Sequence, residues 1–204
     1  MYARTFPLYT FSKSYAMTGL RIGYVAIKDP VIRDRAKKVL FYTASNIASV
    51  VQFGGIGALE GPQDCIDAFR AELRARRDLF YRGISELGGD IFSGKPPAGA
   101  FYAFLRIDAA WTDPSTLRQD QGRPERGGGT TGSEQTSLSW RMVEHLIKNG
   151  RIGCVPGVDF GANGEGYVRF CFARDRKEIF GALQSMKQLF GATVGSRGSG
   201  GSGG

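Results

Sequence analysis

Residues 63–87 set the frame for the rest of this 204-residue chain, because no other segment holds one hydrophobic period for so long. Ile66, Phe69, Leu73, Phe80, Ile84 and Leu87 recur at helical spacing, so the segment predicts a helix with one apolar face that must be covered. Arg70, Arg74, Arg76, Arg77 and Arg82 occupy the remainder. They read as a solvated face pairing with Glu72 and Asp78. A nucleic-acid stripe would carry interleaved aromatics or a binding motif, and neither is there.

Shorter segments surround this helix. Residues 5–12 (TFPLYTFS) predict a buried strand, and Leu20–Ile27 a second strand. Asp29-Pro30 opens a helix to about Phe41, with Asp as cap and Pro at the first helical position. Residues 43–46 break it, and Ser45 or Asn46 is expected to cap a helix carrying Ile47, Val50, Val51 and Phe53 that stops near Gly61-Pro62. Gly88-Gly89 ends the long helix. Ala100–Ile107 (AFYAFLRI), Ile152–Val155 and Tyr167–Ala173 (YVRFCFA) predict further strands. Trp140, Val143, Leu146 and Ile147 mark one more helix, and Ile179, Leu183, Met186 and Phe190 the last. Residues 112–136 read as a long mobile loop and the Gly/Ser tail at 195–204 as a disordered linker. Strands and helices without a strict βαβ repeat predict an α/β to α+β fold, with one or two strands belonging to a larger sheet.

Composition excludes several classes. At 42% hydrophobic and 23% charged residues, the chain is not wholly disordered. No apolar run reaches the roughly 20 residues that span a bilayer, and Met1–Pro7 lacks the basic start and apolar middle of a signal peptide. The net charge of +8 permits nucleic acid, a membrane surface or small anions as partners and selects none. Cys65, Cys154, Cys171 and the single His145 form neither a disulfide framework nor a recognised zinc spacing, so no metal is expected. The expected setting is the reducing cytoplasm.

Two runs carry chemistry. The first is Thr10–Gly23 (TFSKSYAMTGLRIG). Lys13 follows an apolar strand, where burial would favour the neutral, nucleophilic amine able to condense with a carbonyl. Arg21 lies eight residues on, across a Gly-containing turn, and can grip a phosphate with two parallel hydrogen bonds. Thr10, Ser12 and Ser14 add hydroxyls. Amine, guanidinium and hydroxyls together suit an aldehyde that carries a phosphate, which describes pyridoxal 5'-phosphate (PLP). The bland alternative is a surface lysine between two serines.

The second run is Val155–Ala173 (VPGVDFGANGEGYVRFCFA). Its Gly and Pro force a tight loop, and Arg169 then falls inside an apolar strand. Strict alternation puts Val168, Phe170 and Phe172 on one face and Arg169 with Cys171 on the other. Such a charge wants an anionic partner. A protein carboxylate and a substrate carboxylate both satisfy that need.

Both runs resemble the fold type I PLP-dependent aminotransferases of class I/II. The pattern Ser-Lys-x-x-x-Met-x-Gly-x-Arg-x-Gly around Lys13 is similar to the family's cofactor-lysine signature. Pro156-Gly157, Phe160-Gly161 and Gly164–Arg169 resemble its C-terminal substrate-binding stretch, and Gly99–Phe104 resembles a strand between the two. The resemblance covers roughly Thr5 to Phe190. It implies that Lys13 holds PLP, that Arg21 and Thr10 bind its phosphate, and that Arg169 binds the α-carboxylate of an amino acid or 2-oxo acid. Thr10 departs from the Ser or Gly usual at its position but keeps a hydroxyl. Ser45 and Asn46 resemble a loop that approaches the neighbouring subunit in the family's homodimers.

The resemblance also implies an incomplete site. The family's Gly-rich phosphate loop, its ring-stacking aromatic, its Asn and Tyr at the ring hydroxyl and its Asp at the pyridine nitrogen all precede the lysine, and nothing later in this sequence matches them. The chain is therefore expected to be a C-terminal portion of a PLP-dependent transferase fold, to bind PLP weakly if at all and to have little turnover alone. Residues 1–60 would be the end of the large cofactor domain and 61–194 the small domain. A β-elimination lyase, a synthase of the aminocyclopropane-carboxylate type and a non-catalytic module are the alternative readings.

Overall fold

The computed structural model describes residues 4–87, 91–108, 111 and 137–194. The Gly88-Gly89 stop, the loop at 112–136 and the tail at 195–204 lie outside the described residues. The chain divides into two compact units, Met1–Ala71 and Glu72–Gly204. The fold is mixed α/β, as expected.

In the first unit, β1 (Leu8–Thr10) pairs antiparallel with β2 (Gly23–Val25). Tyr9 faces Tyr24 across the ribbon, and their rings stack at 4.9 Å. A Cβ at Gly23 would lie 2.5 Å from the Tyr9 carbonyl oxygen, so glycine is required there. Phe11, just after β1, is the buried large hydrophobic residue among the described residues of this unit. With Ile22 it packs against Gly55 of α2 (Ser49–Glu60), whose missing side chain permits the approach. The strand expected to be buried is not. Leu8 is 80% exposed, because the described residues of this unit lay no second layer over it.

Helix α1 (Pro30–Ala44) starts where the sequence indicates: the Asp29 carboxylate accepts from the Val31 and Ile32 amides at 2.8 and 3.1 Å. The cap of α2 differs from expectation. Ser45 is used to end α1, with φ at 56° and its N–H donating to the Phe41 carbonyl, and the residue before α2 is Ala48, which has no capping side chain.

In the second unit, the described residues form a four-stranded antiparallel sheet in the order β3 (Phe92–Ser93), β4 (Tyr102–Ile107), β6 (Tyr167–Cys171), β5 (Val155–Pro156). The expected strand at 152–155 thus shrinks to the edge pair at Val155. Alternation decides the faces. Ala103, Leu105 and Ile107 point inward with Val168, Phe170 and Phe172. They meet Met142, Val143 and Leu146 of α4 (Leu138–Gly150) and Ile179, Leu183, Met186 and Phe190 of α5 (Arg176–Val194) in one core. Each of these side chains apart from Ala103 stabilises the fold by about 1.5–3 kcal/mol on burial. Helix α3 (Asp64–Ser85) adds Phe80, and its Gly83 lets Leu183 sit directly on the helix backbone.

The arginine-rich face of α3 forms the expected pairs: Arg76 with Glu72 at 2.7 Å and Arg77 with Asp78 at 2.8 Å. Glu72 also receives Arg176 from the start of α5. Among the described residues, no helix is long and apolar enough to cross a membrane.

Candidate functional site

The predicted site residues fall in both units. Thr10 ends β1, and Lys13 and Arg21 lie in the loop that joins it to β2 in the first unit. The loop is tied by side chains. Thr10 Oγ1 donates to Ser12 Oγ at 2.9 Å and accepts from the Ser12 amide at 3.2 Å. Thr18 Oγ1 donates to the Ser12 carbonyl at 2.9 Å, and Arg21 Nη1 donates to the Thr18 carbonyl at 2.9 Å. A relay of hydrogen bonds therefore links Thr10 to Arg21.

Lys13 stands in the turn that opens this loop. Its carbonyl accepts from the Ala16 amide, while the Phe11 carbonyl accepts from Tyr15 and Met17. Arg21 has φ at 52°, in the left-handed region that a non-glycine residue occupies at a cost of order 1 kcal/mol. That conformation falls where Arg21 ends the short 3-10 turn Thr18–Leu20. The expectation of a buried Lys13 is not met: Lys13, Thr10 and Arg21 are exposed. The described residues of this unit supply the donors without a cover. As a donor set, one guanidinium and two hydroxyls suit a phosphate, and the neighbouring amine suits an aldehyde. The residues present fit PLP on those grounds.

Arg169 is built differently. It lies on β6, opposite Phe104 of β4 on one side and Val155 of β5 on the other. The inward neighbours Val168 and Phe170 are buried, so Arg169 emerges on the outer face, half-buried, with Cys171 exposed two residues on. Its guanidinium carbon sits 4.5 Å from the centre of the Tyr102 ring and 4.4 Å from that of Phe160. Among the described residues it forms no ion pair with a carboxylate. The ring of Phe104 stacks on Tyr167 at 5.1 Å and meets Phe160 edge-on at 6.1 Å. The outer face is thus an aromatic platform that carries Arg169, with Arg106 further along β4 engaged by Asp108 at 2.9 Å.

The turn that carries Phe160 is fixed from α4. Gly157 and Gly164 are buried against each other, and a Cβ on either would run into the other's backbone. The fully buried Ser139 hydroxyl accepts from the Gly166 and Tyr167 amides at 2.9 and 3.2 Å and donates to the Gly164 carbonyl at 3.3 Å. Glu165 accepts from the Leu138 amide at 2.6 Å and the Ser137 hydroxyl at 2.7 Å, placing a carboxylate at the helix N-terminus. Sequence reasoning placed Phe160 and Glu165 in the stretch that resembles the family's substrate-binding segment, and Tyr102 and Phe104 in the strand between the two motifs, but it gave none of them a role in shaping the site and did not single out Ser139. The available signal was in β4, where alternation aligns Tyr102 and Phe104 on the face opposite Ala103 and Leu105.

Comparison with known proteins places the chain in a family. The family model described as aminotransferase class I and II matches residues 2–185. A probable aspartate aminotransferase of Methanocaldococcus jannaschii is 34% identical over 185 residues, covering 88% of this chain and 41% of that protein. An aromatic-amino-acid aminotransferase of Thermococcus litoralis is 29% identical, covering 93% of this chain and 42% of the relative. The crystal structure of an aromatic aminotransferase from Pyrococcus horikoshii superposes with a TM-score of 0.74 at 28% identity, over 95% of this chain and 45% of that one. The chain spans about two fifths of the length of the curated relatives it matches, so it carries part of their fold. On this match of sequence and architecture, the chain belongs to the aminotransferase class I and II family.

Proposed function

We propose that this chain is a C-terminal portion of a PLP-dependent aminotransferase that moves an amino group between an L-amino acid and a 2-oxo acid. The observation that carries the reading is Arg169. It is a half-buried cation on an aromatic platform, paired with no carboxylate among the described residues, and it suits the α-carboxylate that all amino acid and 2-oxo acid substrates share.

In this reading residues 1–60 close the cofactor domain and residues 61–194 form the small domain. Lys13 would hold PLP through Nζ, with Arg21 and Thr10 on its phosphate. When bound, PLP supplies the electron sink for chemistry at the substrate Cα. In the complete enzyme Lys13 Nζ would serve as general acid and base at that carbon. Arg169 would bind the substrate α-carboxylate. The complete enzyme would act as a cytoplasmic homodimer, and this chain alone would turn over little.

The test is incubation of the chain with PLP, borohydride reduction and peptide mapping. Labelling below one equivalent but concentrated at Lys13, and lost in Lys13→Ala, is the expected result. Equal labelling across Lys13, Lys28, Lys37 and Lys38 would overturn the assignment of Lys13. Stoichiometric labelling with full transaminase activity would overturn the incompleteness.

A further inference from the structure

We infer that Tyr102 and Phe160 are positioning residues for Arg169, fixing its guanidinium in the direction from which it receives a carboxylate; the inference rests on the reading of Arg169 given above. The two rings come from separate elements. Tyr102 is on β4, diagonal to Arg169 across the β4–β6 pairing, and Phe160 ends the short 3-10 turn Gly157–Phe160. Both ring centres lie within 4.5 Å of the guanidinium carbon.

An aromatic ring attracts the cation through its quadrupole. It engages none of the five N–H donors that a carboxylate needs. A salt bridge to a protein carboxylate would orient the side chain just as firmly but would occupy those donors. Ring contacts therefore do what a protein carboxylate cannot: they restrict the side chain while leaving its hydrogen bonding to the ligand.

Phe160 is itself held. It meets Phe104 edge-on, and Phe104 lies flat on Tyr167. Gly161 follows with φ at 120°, a conformation rarely taken by other residues. Phe160 nevertheless remains 53% exposed, so the core does not account for its place. Its ring contacts are with Phe104 and the Arg169 guanidinium.

The experiment uses the whole chain labelled with 15N-arginine, the variants Phe160→Leu, Tyr102→Leu and Phe160→Tyr, and pyruvate as the carboxylate probe. In the wild type the Arg169 Nε–Hε group should be ordered and should shift on titration with pyruvate. Each leucine variant should lose that order and bind pyruvate about fivefold more weakly, the ratio that corresponds to one cation–π contact. Backbone signals of β4 and β6 should stay in place, and Phe160→Tyr should restore both properties. If the wild type shifts with pyruvate and the leucine variants match it in order and affinity, the positioning role is refuted and the carboxylate reading stands. If the ordered wild-type Arg169 gives no response to pyruvate, the carboxylate reading fails and this inference fails with it.

Discussion

Replacing Ser139 with alanine tests whether the turn beneath Arg169 is held by one hydroxyl. The side chain is completely buried and makes three hydrogen bonds to the backbone of Gly164, Gly166 and Tyr167. Ser139→Ala leaves two amides without their acceptor. An unsatisfied buried donor costs about 1–3 kcal/mol. Gly166 and Tyr167 are half-buried, so water can compensate in part and the low end of that range applies to each. The longer bond to Gly164 adds a smaller amount. The expected loss is about 2–3 kcal/mol, roughly 8–12 °C in Tm for a unit of this size. Urea unfolding followed by circular dichroism gives the free energy, and hydrogen exchange at the Gly166 and Tyr167 amides locates it. A loss below about 0.5 kcal/mol with an unchanged m-value, together with unchanged exchange at both amides, would refute the reasoning.

Two further outcomes follow from ionisation. Hydrogen bonds from Arg176 and then Arg76 hold the Glu72 carboxyl down to about 2, against 4.5 for the free group. A lowered folded value means stability fully present above pH 4.5 and lost as the pH falls toward about 2. Acid titration of stability should therefore be steeper for the wild type than for Glu72→Gln across that window, and parallel curves would contradict the role of the pair. Burial pushes the Cys154 thiol up to about 12, while Cys65 and Cys171 are exposed. At pH 8, iodoacetamide should modify Cys65 and Cys171 well before Cys154 in the native chain and all three in urea. Equal native rates would show that Cys154 is not shielded.

The two units differ in how far their sequences explain them. In the second unit the hydrophobic pattern and the core agree: Val168, Phe170 and Phe172 alternate in the sequence and are all buried. In the first unit the pattern misleads. Leu8, Val39, Phe41, Tyr42, Val50 and Phe53 look like core residues and are all exposed. Apolar character signals a need for cover, but it does not name the element that provides it. Among the described residues of this unit the cover extends to little beyond Phe11. The burial expected for Lys13 failed for the same reason.

What the sequence determined by itself was local or periodic. The Asp29-Pro30 helix start, the helix α3 with its pairing of Arg76 to Glu72, the outward side of Arg169 and the residue types able to hold a phosphate, an aldehyde and a carboxylate all follow from spacing and chemistry; the apolar face of α3 is covered at Phe80 but not at Phe69. Tertiary structure alone decided what surrounds those groups. That Tyr102 and Phe160 would close on Arg169, and that Ser139 would meet the amides of Gly166 and Tyr167, depends on contacts between residues about 10 to 70 positions apart. No local preference encodes such a meeting; it exists only when strand register, helix packing and the close approach of Gly157 to Gly164 are satisfied together.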